Sequence, residues 1–96
     1  MHVRFQDTAE DDLDSIVTYV GPRSPQGLAK VMTSIFTIAS QLETFPLMGR
    51  PGQIDGTREL IVPRTPYRLI YVVDEPYYID VIRMLHGKRK YPPDAR

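Results

Sequence analysis

Two segments in the second half of the chain leave the least freedom to the fold. YRLIYVV (67–73) and YYIDVIRML (77–85) are apolar at nearly every position and are separated only by Asp74-Glu75-Pro76. A strand with one wet face alternates. A near-continuous apolar run instead fits a strand covered on both faces or set in the middle of a sheet. The connection is of hairpin length, so the two should pair antiparallel.

Other elements must flank and cover this pair. VRF (3–5) and RELIV (58–62) are shorter strand candidates, the latter followed by a bend, PRTP (63–66), whose prolines stay out of the ladder. Between them lie two helical patterns. In TAEDDLDSIVTYV, Thr8 is a candidate N-cap with Asp11 three residues on. Ala9, Leu13, Ile16, Val17 and Val20 recur at helical spacing, with Gly21-Pro22 as the expected stop. The second helix has Ser24 as N-cap, Pro25 in the first helical position, and a stripe of Leu28, Val31, Ile35, Ile38 and Leu42. It should end near Thr44, before Pro46. LMGRPGQIDG (47–56) reads as a loop. The predicted architecture is α+β in the order β-α-α-β-β-β. An antiparallel helical hairpin packs on one face of a small, mostly antiparallel sheet, and residues 1–96 form one domain.

Composition removes several function classes. There is no cysteine, hence no disulfide staple, thiol nucleophile or cysteine-bound metal. The two histidines, His2 and His86, stand in no spacing that resembles a ligand set, so no metal and no cofactor are expected. No serine sits in a nucleophile elbow, and GRPG (49–52) is too short and proline-broken for a phosphate loop. No apolar run approaches the roughly 20 residues that span a bilayer. The opening MHVRFQDTAEDD lacks a signal-peptide apolar region, so a cytoplasmic location without membrane contact is expected. Net charge is zero, but residues 1–48 hold three cations against six acids and residues 49–96 hold nine against six. Local rather than global potential must steer any ligand.

The candidates for chemistry are therefore cations on and after strands: Arg58, Arg68, Arg83, Lys88, Arg89 and Lys90, with Tyr67, His86 and Tyr91 among them. Arg68, in an otherwise apolar strand, must emerge at a sheet face or find a partner such as Glu59 or Asp80. Arg58 suits a structural role, closing the loop onto the sheet. Strict alternation puts Arg83 on a face with Val81 and Leu85, and Asp80 with Met84 on the other. EDDLD in the first helix reads as a solvated face complementing the helix N-terminus. HGKRKYP (86–92) is open to three readings: a basic tail, a surface that grips a phosphate or an acidic segment, or a metal-free RNA-cleavage cluster.

The element order, together with LETFPLMGRPG (42–52), GTREL (56–60), PYRLIYVV (66–73) and VIRMLHGKRKYP (81–92), resembles the RelE/ParE superfamily of toxin–antitoxin toxins, closer to the ParE branch. The resemblance implies a toxin neutralised by a cognate antitoxin that wraps the sheet and hairpin as a hetero-oligomer. ParE-like members inhibit DNA gyrase, and RelE-like members cleave mRNA at the ribosome. On the first reading Arg83, Lys88, Arg89, Lys90 and Tyr91 would bind the target. On the second, Arg68, His86, Arg89 and Tyr91 would be catalytic. A non-toxic module that only binds its antitoxin is a third possibility.

Overall fold

The two apolar segments form the centre of a five-stranded sheet. The computed structural model describes residues 1–87 and 89–92. Its elements are β1 (His2–Phe5), α1 (Asp7–Arg23), α2 (Pro25–Thr44), β2 (Arg50–Pro51), β3 (Thr57–Ile61), β4 (Tyr67–Asp74) and β5 (Tyr78–His86). The sheet order is β1-β5-β4-β3-β2, with β1 parallel to β5 and every other pair antiparallel. The expected α+β architecture holds, with β4 and β5 in the middle. One two-residue strand is added: β2 arises inside the segment read as a loop, and its proline is tolerated because it lies on an edge.

The helical hairpin covers one face. Ala9 and Ile16 of α1 and Ile35, Ile38 and Leu42 of α2 pack on Leu69, Tyr71, Ile79, Val81 and Met84. Ser24 caps α2 as expected, its Oγ accepting from the Gly27 amide at 2.9 Å. The start and end of α1 differ from expectation. Its N-cap is Gln6, and Thr8 Oγ1 instead donates to the Ile82 carbonyl at 2.6 Å. The helix also runs past Gly21-Pro22 to Arg23. Pro22 cannot donate to the carbonyl four residues before it, and the helix ends one residue later, its last turn held by the Ser24 amide on the Val20 carbonyl and by Arg23 Nη1, which donates to the Tyr19 carbonyl at 2.6 Å.

Strict alternation fails in β5. The register passes from Tyr71↔Val81 to Ile70↔Arg83, so Ile82 is an extra residue and forms a bulge. Val81 and Met84, expected on opposite faces, both join the helix-side core. Past Phe5↔Val81, β1 gives way to α1, and this half of the β5 edge loses its strand partner. Polar groups of α1 replace it. Thr8 takes the Ile82 carbonyl, and Asp12 Oδ2 accepts from the Met84 amide at 2.9 Å. Asp12 also receives Arg83 Nε and Nη2 at 2.8 and 3.1 Å. EDDLD is thus not wholly a solvated face: Asp12 is a substitute for a strand.

A cationic cleft on the uncovered sheet face

Alternation along β3 and β4 sends Glu59, Arg68 and Ile70 to the face the helices leave open. The chain after β5 returns across this face. Gly87 N–H donates to the Pro66 carbonyl, the Arg89 amide to the His86 carbonyl at 2.9 Å, and Arg68 Nη1 to the Gly87 carbonyl at 3.1 Å. Tyr91 comes near enough to Arg83 to help hold its guanidinium above its ordinary pKa, after the larger effect of the hydrogen bond to Asp12. Ile70 and Leu85 are buried although neither belongs to the helix-side cluster.

The result is a cleft of about 580 Å³ between the Arg50–Gln53 segment and the returning chain. Arg50, Arg68, Arg89 and Lys90 line it with Tyr91, and Glu59 is the acid among them. Glu59 Oε1 lies 3.1 Å from Arg68 Nε and 3.6 Å from Arg50 Nη2. The Glu59 and Arg68 side chains are 9% and 13% exposed, whereas Arg50 is 76% exposed. So the Glu59 partner foreseen for Arg68 is found. Asp80 is taken elsewhere, by Arg4 Nε at 2.7 Å and Gln6 Nε2 at 2.9 Å. The hydrogen bond from Arg4 is the main reason that the Asp80 carboxyl is held below its ordinary pKa.

The wall carrying Arg50 is fastened from beneath. The Tyr71 hydroxyl, fully buried, donates to the Pro46 carbonyl at 2.8 Å and accepts from the Gly49 amide at 2.9 Å. Burial raises its pKa, outweighing the Gly49 hydrogen bond and nearby Arg58. Arg58 Nη1 donates to the Gly49 carbonyl at 2.7 Å, the structural role expected of it. A Cβ at Gly49 would stand 2.7 Å from Tyr71 Oη and 2.9 Å from the Glu59 carbonyl oxygen, so only glycine lets the loop approach this closely.

Of the residues singled out in the sequence, Arg68, Arg89, Lys90 and Tyr91 share the cleft. His86 does not. It pairs with Tyr67 across the ladder, ring centroids 5.9 Å apart, in a groove between hairpin and sheet that also holds Tyr19, Val31 and Met84 and that Arg89 borders as well. Arg83 is committed to Asp12, and Lys88 lies outside the described residues. Arg50 and Gly49 were missed as site residues, although GRPG was noticed. Its pairing with β3 depends on a loop conformation that has no periodicity to announce it. Among the described residues no three acidic or histidine side chains gather as a metal group, and no helix is long and apolar enough to cross a membrane.

A hairpin over one face of the sheet and a cationic cleft on the other define a small protein with one face held by helices and one open to a partner. Residues 3–91 match the family described as "ParE toxin of type II toxin-antitoxin system, parDE". A protein of Sinorhizobium fredii named "Putative toxin Y4kP" is 31% identical over 80 residues, covering 83% of this chain and 81% of that protein. Among solved structures, the RelBE2 toxin–antitoxin complex of Mycobacterium tuberculosis contains a chain 30% identical, with a TM-score of 0.60, covering 88% of this chain and 95% of that one. The chromosomal ParDE system of P. aeruginosa has the same fold at 23% identity and a TM-score of 0.65, covering 90% of this chain and 95% of that one. The chain belongs to the ParE toxin family of type II toxin–antitoxin systems, within the RelE/ParE superfamily.

Proposed function

We propose that this toxin arrests growth from the cytoplasm by inhibiting DNA gyrase, that its cationic cleft makes the target contact, and that a cognate antitoxin neutralises it. The observation that carries this reading is the return of the C-terminal cations across the open sheet face. Arg89 and Lys90 there join Arg50, Arg68 and Tyr91 in one cleft, while the described histidine nearest in sequence, His86, lines the adjoining groove, which Arg89 also borders. A grip on anionic groups needs only converging cations, whereas acid–base cleavage of RNA needs an uncommitted proton acceptor beside the bound phosphate, and the cleft's carboxylate, Glu59, stands at ion-pair distance from Arg68 and Arg50. The antitoxin partner is supported by two similar solved structures, which are described as toxin–antitoxin systems.

Purified protein should inhibit gyrase supercoiling or trap cleaved DNA, and Arg89→Ala with Lys90→Ala should remove the effect while the circular dichroism spectrum is unchanged. Full gyrase activity at micromolar toxin would overturn the reading. A ribosome-dependent mRNA endonuclease is the second reading, favoured by Arg68, Arg89 and Tyr91 lining the same cleft. It requires cut mRNA when translating ribosomes receive the toxin, and loss of cutting in Arg68→Ala. A non-toxic antitoxin-binding module would produce no growth defect on expression without antitoxin.

A further inference from the structure

The least expected group in the cleft is its acid. Glu59 stands at the floor of a site otherwise lined by four cations, its side chain nine-tenths buried, between Arg50 and Arg68. Its pair with Arg68 is close but poorly aimed. Arg68 spends Nη1 on the Gly87 carbonyl, and its buried Nε, though 3.1 Å from Glu59 Oε1, has no partner in hydrogen-bond geometry. Arginine normally meets a carboxylate by parallel, aligned N–H···O bonds. Here the carboxylate answers the charge and leaves the directional donor unused. Gly52 closes over the pair without a side chain: a Cβ there would run into Thr57 Oγ1 and stand 3.3 Å from Glu59 Oε2.

We infer that Glu59 is a built-in counter-ion occupying the seat of a ligand phosphate, so that it sets how tightly the cleft holds a phosphodiester chain. This rests on the cleft being the target-binding surface. A tetrahedral phosphate offers oxygens in several directions and can hydrogen-bond Arg68 Nε and Arg50 together, whereas the planar Glu59 carboxylate reaches both only at ion-pair distance and leaves Arg68 Nε without a hydrogen bond. The cations come from three places along the cleft, the Arg50 loop, the Arg68 strand and the Arg89–Lys90 return. Cations drawn from three segments suit a chain of repeating charges better than a single anion, and half-buried Tyr91 supplies an aromatic face for an adjoining base. Glu59 lowers the affinity of the free cleft and selects against weaker anions.

The test is binding of a short labelled single-stranded oligonucleotide to the full chain and to Glu59→Gln, a near-isosteric change, across a salt series. Glu59→Gln should bind ~10-fold tighter, with the slope of log affinity against log salt steeper by about one phosphate contact. Equal affinity and slope would overturn the inference, as would failure of both proteins to bind. Tighter binding of a polyglutamate peptide without any gain for the oligonucleotide would overturn the phosphate assignment. Should Glu59→Gln not fold, the unmodified chain gives the answer by NMR. The Arg68 Nε–H and Glu59 Cδ resonances should move together as oligonucleotide is added, and stationary resonances at saturation would refute the competition. Gyrase inhibition is read separately. Stronger oligonucleotide binding with no effect of either protein on gyrase would remove the gyrase reading and leave the role of Glu59 standing.

Discussion

Replacing Tyr71 by phenylalanine removes one oxygen and unfastens one wall of the cleft. The hydroxyl donates to the Pro46 carbonyl and accepts from the Gly49 amide, and Tyr71 itself is fully buried. A buried backbone group left without its partner costs roughly 1–3 kcal/mol. The Gly49 amide, in a buried residue, should bear most of that cost. The Pro46 carbonyl, in a half-buried one, can recover part of it from water. The sum is about 2–4 kcal/mol, which for a domain of this size lowers Tm by about 10–25 °C. Urea unfolding should show a lower midpoint with an unchanged slope, because the surface exposed on unfolding is the same. Hydrogen exchange should speed up at the Gly49 amide before it does in β4. The same variant should weaken target binding, since Arg50 sits on the freed segment. A Tyr71→Phe protein within about 0.5 kcal/mol of the parent would mean that water replaces the hydroxyl, and the loop would not depend on it.

Two further outcomes follow from the polar network around β5. Asp12→Ala should cost about 2–4 kcal/mol, because it leaves a part-buried guanidinium and the Met84 amide without their acceptor. Asp12→Ala combined with Arg83→Met should cost less than the sum of the two single changes in urea unfolding, and strict additivity would contradict the pairing. Asp80 bears on acid stability. Its carboxyl is held below its ordinary value of 3.8, chiefly by the hydrogen bond from Arg4. Its contribution is therefore complete above that value and is lost as pH falls through the lowered one. Asp80→Asn should flatten the decline in Tm on the acid side, and a parallel decline in both proteins would remove Asp80 from the account.

The fold is legible where apolar patterns are long. β4 and β5 follow from runs that no half-exposed strand would carry, and α2 from five apolar residues on one stripe between a serine cap and Pro46. Periodicity loses its hold where one residue breaks it. The bulge at Ile82 shifts every later side chain of β5 by one place, and nothing in VIRML marks that position. The cap of α1 went astray for a related reason. Thr8 has the right chemistry for a local bond, but β5 offers its hydroxyl a carbonyl that belongs to no neighbouring strand. Of the site, the cations on β4 and after β5 could be named from sequence, and Arg68 could be given an acidic partner, Glu59 or Asp80, because a charge in an apolar strand needs an opposite charge; the register then selects Glu59. Arg50 could not, because its place opposite Glu59 is set by a loop pinned from below by Tyr71 and Arg58.

The same pinning explains how a chain of zero net charge builds a positive site. Five of the six acids of the first half lie on α1 and the sixth, Glu43, on α2, on the helix side of the sheet, and Asp12 is occupied with Arg83. The excess cations of the second half are gathered by the Arg50 loop, the Arg68 strand and the return after His86 onto the opposite face. Between exposed charges, opposition across the sheet is largely screened beyond roughly 10 Å at ordinary ionic strength. A ligand at the cleft therefore feels the four cations and Glu59 far more than the acidic helix behind them. Because Glu59 is buried beside Arg68, salt screens their interaction less than it screens the exposed Arg50. Added salt should then weaken the cleft through its rim first, leaving the Glu59–Arg68 pair at its floor intact.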